Sequence, residues 1–131
     1  LPWPVSKGEI TGKFGKHNHS VVKTAVVENN GIDISTTKGA GVRAIFKGEV
    51  SSILVIPGAG KVVMIKHGSY RSVYSNLQKV HVKKGEQVDT KEEIGQLLVN
   101  GNTSEAHIEI WKINSEGTMS KQNPEYWLYG R

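Results

Sequence analysis

The chain contains no cysteine. That excludes a disulfide framework, a thiolate zinc site and a cysteine nucleophile. It leaves the compartment open, because exported proteins also fold without disulfides. No apolar run approaches the roughly 20 residues that cross a bilayer as a helix, so no transmembrane helix is expected. No window of about 11–18 residues carries a helical period, and no heptad pattern or long repeat is present. Blocks of like charge are missing too. Lys83-Lys84-Gly85-Glu86 and Lys91-Glu92-Glu93 mix the signs, so the formal net charge of +5 reads as a solvated, mixed surface. Neither a helix-turn-helix pattern nor an aromatic RNA-binding motif appears, and no nucleic-acid partner is expected.

With 131 residues, 37% of them hydrophobic and 22% charged, the chain suits one globular domain, residues 1–131, with a core of its own. A start at Leu1 without Met reads as a processed or truncated piece, and any signal peptide or membrane anchor is expected upstream of it. Short alternating runs between Gly, Pro and Asn turns fill the sequence. Leu1-Pro2-Trp3-Pro4-Val5 is an extended opening that sets Trp3 on the core edge. Residues 9–15 read as a short strand and 16–20 as a polar loop. In that loop His17 and His19 are ordinary polar residues; on a strand the pair would turn both rings to one side as a metal clip. Residues 42–46, 48–56, 61–67 and 70–75 read as strands, with turns at 57–60 and 68–69. Residues 76–80 are expected to leave the sheet, and 92–97 to add a short strand.

The strongest alternation lies in Ile32-Asp33-Ile34 and in residues 106–111. In the first, two inward isoleucines aim Asp33 to the opposite face. In the second, Ala106, Ile108 and Ile110 share one face, and Glu105, His107 and Glu109 the other. Residues 123–128 close the chain, with aromatics packing across one end. The class is mainly β: an antiparallel sheet or barrel-like domain of short strands and hairpins.

Taken in order, Gly31-Ile32-Asp33-Ile34, Val42-Arg43-Ala44, Gly48-Glu49-Val50, residues 63–68, Val73-Tyr74-Ser75-Asn76-Leu77, residues 82–88 and His107-Ile108-Glu109-Ile110-Trp111 carry a resemblance. Together they resemble the LytM/lysostaphin-type zinc endopeptidase domain of peptidase family M23, a peptidoglycan-cleaving β fold. The resemblance covers nearly the whole chain, from Gly8 to Leu128. In that family the zinc ligands come from an HxxxD motif and the second His of an HxH motif. The first His of HxH and the His of a Tyr-x-His-Leu segment assist the bound water. This division suits zinc, which takes three lone-pair donors and keeps a fourth position for water.

Here HxxxD stands as Asn29-x-x-x-Asp33, HxH as Glu105-Ala106-His107, and Tyr-x-His-Leu as Tyr74-Ser75-Asn76-Leu77. Only Asp33 and His107 keep their ligand types. A neutral amide is a poor zinc ligand beside imidazole, and Asn76 cannot shuttle a proton near neutral pH. The resemblance therefore implies a domain without metal, cofactor or catalytic residues. A rearranged site of Asp33, His107 and Glu105 is the alternative, since carboxylates also bind zinc. A second similarity, to biotinyl and lipoyl carrier domains, lacks the Lys hairpin those domains need.

The Asn29-Asn30-Gly31-Ile32-Asp33 turn, the Ser75-Asn76-Leu77 segment and the Asn123-Pro124-Glu125-x-Trp127-Leu128 ending are similar to degenerate LytM domains of the EnvC-like murein hydrolase activators. What this implies is an exported, non-catalytic regulator in the periplasm or elsewhere in the envelope. Its expected partner is the regulatory helix of an N-acetylmuramoyl-L-alanine amidase, switched on during cell separation or wall remodelling. The expected groove comprises Asn29, Asp33, Tyr74, Asn76, Glu105 and His107. A peptidoglycan-binding module and an active zinc endopeptidase with unusual ligands are the other readings. Membrane contact is expected only through segments outside this chain. His67 is read as structural, His81 as solvated, and Trp111 and Trp127 as packing residues.

Overall fold

Turn residues cut the chain into short strands, and among the described residues all the strand pairs formed are antiparallel. In the computed structural model the described residues are 1–18 and 26–129, with backbone alone described at 17, 18, 26 and 27. Along the described residues the strands are β1 (Glu9–Gly12), β2 (Gly15–Asn18), β3 (Val26–Asn29), β4 (Ile32–Thr37), β5 (Gly41–Arg43) and β6 (Gly48–Ile56). They continue as β7 (Gly60–His67), β8 (Tyr70–Val80), β9 (Gln87–Val88), β10 (Glu93–Leu97), β11 (Thr103–Ile113) and β12 (Met119–Gln122). A single 3-10 turn, Pro124–Tyr126, follows, with Asn123 capping it by accepting from the Glu125 amide. The main sheet runs β1-β4-β11-β8-β7-β6-β9; β10 joins β5 to β8, β12 lies on β11, and β2 and β3 form a separate hairpin. This is the mainly-β, antiparallel architecture expected from the alternation.

Period two gives the central sheet two different faces. On one face Ile32 and Ile34 of β4, Val63 and Ile65 of β7, Tyr74 of β8 and Ile108 of β11 are buried in the core. Full burial of each aliphatic side chain contributes roughly 1.5–3 kcal/mol, and this one-sided burial fixes the register. The residues between them, Asp33, Val62, Met64, Val73, Ser75, His107 and Glu109, turn to the opposite face. Trp3 is buried against the core, as expected of the extended opening, and Val5 is buried with it.

Three local expectations change. Residues 16–18 belong to β2, paired with β3 from Gly15↔Asn29 to Asn18↔Val26, so the polar run is a hairpin arm. His19 lies outside the described residues. Residues 76–80 do not leave the sheet, since β8 continues to Val80 and exchanges neighbours, with Gly95↔Val80 and Leu97↔Leu77 pairing it to β10. Asn76 marks the change with φ 65, at a break in the β7–β8 register. Finally, β5 stops at Arg43, although Ala44 and Ile45 remain buried. At the end of the chain Trp127 packs edge-on to Tyr70 with centroids 5.1 Å apart, whereas Tyr126 is 86% exposed.

Candidate functional site

The outer face of the central sheet forms a groove of about 630 Å³. Its halves differ in chemistry. Leu54 and Ile56 of β6, Val62 and Met64 of β7 and Val73 of β8 make an apolar side. Asp33 of β4, His107, Glu109 and Trp111 of β11, and Ser75 and Asn76 of β8 make a polar side.

The polar side is assembled by register. His107 and Asp33 stand directly opposite each other in the β11–β4 ladder. Their Nδ1 and Oδ1 atoms lie 2.7 Å apart. His107 Nε2 lies 2.7 Å from Glu109 Oε2, two residues along the same strand. Trp111 Nε1 donates to Glu109 Oε1 at 2.8 Å, one further step of two. A carboxylate accepts and does not donate, so both ring nitrogens must carry hydrogen to satisfy both contacts. Burial alone would push the His107 pKa down; hydrogen bonds and charge from Asp33 and Glu109 outweigh it and raise it to about 9. The hydrogen bond from His107 in turn holds Glu109 below its usual carboxylate range. At neutral pH the ring is an imidazolium between two carboxylates.

Asn29 closes the other end. Its Oδ1 accepts from the Gly31 amide at 3.0 Å and its Nδ2 donates to Asp33 Oδ2 at 3.0 Å. Two glycines make room. A Cβ on Gly12 would stand 2.2 Å from Asp33 Oδ2, and one on Gly31 would stand 1.9 Å from the Ile108 carbonyl oxygen.

Of the residues expected in the groove, Asp33, Asn76 and His107 line it. Asn29 lies behind Asp33. Glu105 is exposed; its carboxylate accepts from the Thr11 hydroxyl at 3.3 Å and its carbonyl from Asn76 Nδ2 at 3.1 Å. Tyr74 is not in the groove. It is 1% exposed in the core, where its hydroxyl accepts from the Ile45 amide at 3.0 Å and lies 2.8 Å from Ser72 Oγ. Burial pushes that hydroxyl up to about 12. Strict alternation would place Tyr74 and Asn76 on one face. The left-handed backbone at Asn76 breaks it and turns the amide outward. Trp111, read as a packing residue, lines the groove, and Glu109 belongs to the network. Counting in twos from His107 reaches both.

Changing Tyr74 to Phe leaves the Ile45 amide buried without an acceptor. The expected cost is about 1–3 kcal/mol, read by urea denaturation, with the groove unaltered. A loss of partner binding without loss of stability in that variant would return Tyr74 to the groove.

The zinc ion that the HxxxD and HxH pattern implies does not fit these residues. Asn29 presents an N–H to the carboxylate rather than a lone pair to a metal. The rearranged set with Glu105 fails because that carboxylate turns to Thr11. Among the described residues no three His, Cys, Asp or Glu side chains are grouped to hold a metal.

Fold, groove and strand order together define a class. The description "Peptidase family M23" matches residues 27–124, and the chain belongs to that family. Among its relatives, the peptidoglycan DD-endopeptidase ShyB of Vibrio cholerae is 33% identical over 109 residues, 81% of this chain and 26% of ShyB. The cell division protein DipM of Caulobacter vibrioides is 28% identical over 124 residues, 93% of this chain and 19% of DipM. The crystal structure of a zinc-containing peptidase from Vibrio cholerae superposes with a TM-score of 0.73 at 30% identity, covering 91% of this chain and 37% of that one. The chain thus spans about a quarter of ShyB and a fifth of DipM.

Proposed function

We propose that this chain is a non-catalytic M23 domain that binds and activates a peptidoglycan amidase. The observation that carries the reading is Asn29 at the first ligand position, its Oδ1 taken by the Gly31 amide and its N–H given to Asp33. The groups a hydrolytic zinc site would need are engaged with one another. Asn76 and Glu105, where the family places its assisting histidines, are engaged with each other and with Thr11.

The groove itself is retained, and its apolar side suits the apolar face of a helix. Docking of an amidase's blocking helix here would draw that helix off the amidase site and shift the enzyme toward its open form. All this requires is a higher affinity for the helix released from the amidase than for the helix while it blocks the amidase site. A peptidoglycan enzyme and a cell division protein among the relatives support work outside the cytoplasm, at the cell wall.

The test pairs two measurements on the purified chain. Metal analysis is expected to find far less than one zinc per chain, and sacculi are expected to stay undigested. Added amidase is expected to become active only when this chain is present. Stoichiometric zinc with release of cross-link fragments would make the chain an endopeptidase, the reading that its identity with ShyB favours.

A further inference from the structure

The polar side of the groove has acceptors to spare, while its charged and ring donors are spent. His107 gives both N–H groups to Asp33 and Glu109. Trp111 gives its single N–H to Glu109. Each of the four carboxylate oxygens receives one hydrogen bond in this network, two of them from His107 and one each from Asn29 and Trp111. Each therefore keeps a second lone pair. Among the described residues, Asp33, His107 and Glu109 are the titratable groups lining the groove. Two carboxylates against one imidazole leave a net negative charge, whether or not the ring is protonated. Both carboxylates are partly withdrawn from water, with side-chain exposures of 27% and 20%, so a donor reaching them meets little competition.

A zinc centre offers the reverse: positive charge that takes oxygen lone pairs. Here the polarity is inverted. The apolar side lies across the same groove, with Leu54 52% exposed and Ile56 41%.

We propose that the groove selects a protein segment carrying one basic side chain, Lys or Arg, flanked by apolar residues. The ammonium or guanidinium sits over Asp33 and Glu109. The apolar neighbours rest on Leu54 and Ile56. Charge complementarity sets the basic residue, and the apolar wall sets its flanks. This rests on the amidase reading and narrows it: the docked helix is amphipathic with a single essential cation. An amine of the wall peptide offers the same ammonium, but a short polar stem leaves the apolar side uncovered.

Calorimetric titration of the amidase into the wild-type chain tests this, with each Lys and Arg of the amidase's regulatory helix changed to Gln in turn. One position is expected to weaken binding about tenfold or more and to remove most of its salt dependence. Changing that residue to Glu is expected to abolish binding, and Glu109→Lys in this chain to restore it. The Gln scan needs no variant of this chain, so it decides the matter even where Glu109→Lys fails to fold. If no position changes affinity more than about twofold, the cation is refuted while amidase binding stands. If the wild-type amidase fails to bind, the amidase reading falls and the inference with it. Binding of sacculi in its place, abolished by acetylating their amines, would assign the ammonium to the wall.

Discussion

The stability of the domain is expected to fall by up to about 3 kcal/mol as pH rises from about 6.5 to above 9. His107 is raised to about 9 in the folded chain by its two carboxylates, in spite of burial. Unfolded, the ring titrates near the ordinary value of 6.5. A raised pKa means the folded state holds the proton more tightly. The stabilisation is therefore complete below the unfolded value and is lost as pH climbs through the folded one. Glu109 works in the other direction. Its pKa is lowered chiefly by the hydrogen bond from His107, so its contribution is present above the usual carboxylate range and disappears in acid. Burial also lowers His67, whose ring is held between the Lys47 carbonyl and Ser72 Oγ, and acid weakens that site too. The three together place maximum stability near pH 6.5. Urea denaturation at pH 6.5 and 9.5 checks this, and His107→Gln is expected to flatten the alkaline limb. Equal wild-type stability at the two pH values would show that His107 does not sit as an imidazolium between Asp33 and Glu109.

Gly31→Ala is expected to cost at least as much as the upper end of the roughly 1–3 kcal/mol typical of overpacking. The added Cβ would lie 1.9 Å from the Ile108 carbonyl oxygen and 2.8 Å from its carbon. Both are backbone atoms in β11, next to the Ile108↔Ile32 pair that joins β11 to β4. No rotamer change relieves the clash; the strands have to move apart. Asp33 and His107 sit on that pair of strands, so the variant is expected to lose the Asp33–His107 contact before it loses the fold. Gly58→Ala is the comparison. Nothing lies within 4 Å of its Cβ position, and its φ of 83 leaves only left-handed strain, about 1–2 kcal/mol. Thermal melts of the two variants, with the His107 ring nitrogens followed by NMR, separate the effects. A Gly31→Ala chain as stable as Gly58→Ala would show that β4 and β11 are not held this tightly.

Much of the fold was legible because burial on one face imposes period two. Ile32-Asp33-Ile34 and residues 106–111 predicted which side chains turn inward, and the structure buries Ile32, Ile34, Ala106, Ile108 and Ile110. The same rule carried further reaches Glu109 and Trp111. Tyr74 was expected in the groove because the resemblance implies a Tyr on its wall; the structure buries it, and the left-handed residue at Asn76 turns only the amide outward. Asn adopts that conformation more readily than most residues, but its presence alone does not announce it. The apolar half of the groove had no local signal. Leu54 and Ile56 read as ordinary strand residues until β6 is known to lie in the same sheet as β11, with β8 and β7 between them.

The sequence by itself determined the mainly-β class and the alternation of the central strands. Those are local matters of composition, turn chemistry and periodicity. Only the tertiary structure decided that Asp33 and His107, 74 positions apart, meet at 2.7 Å and bond to each other. That contact depends on which strands become neighbours and in what register. Both are set by the burial of the whole sheet, and a slip of one residue would turn Asp33 or His107 into the core.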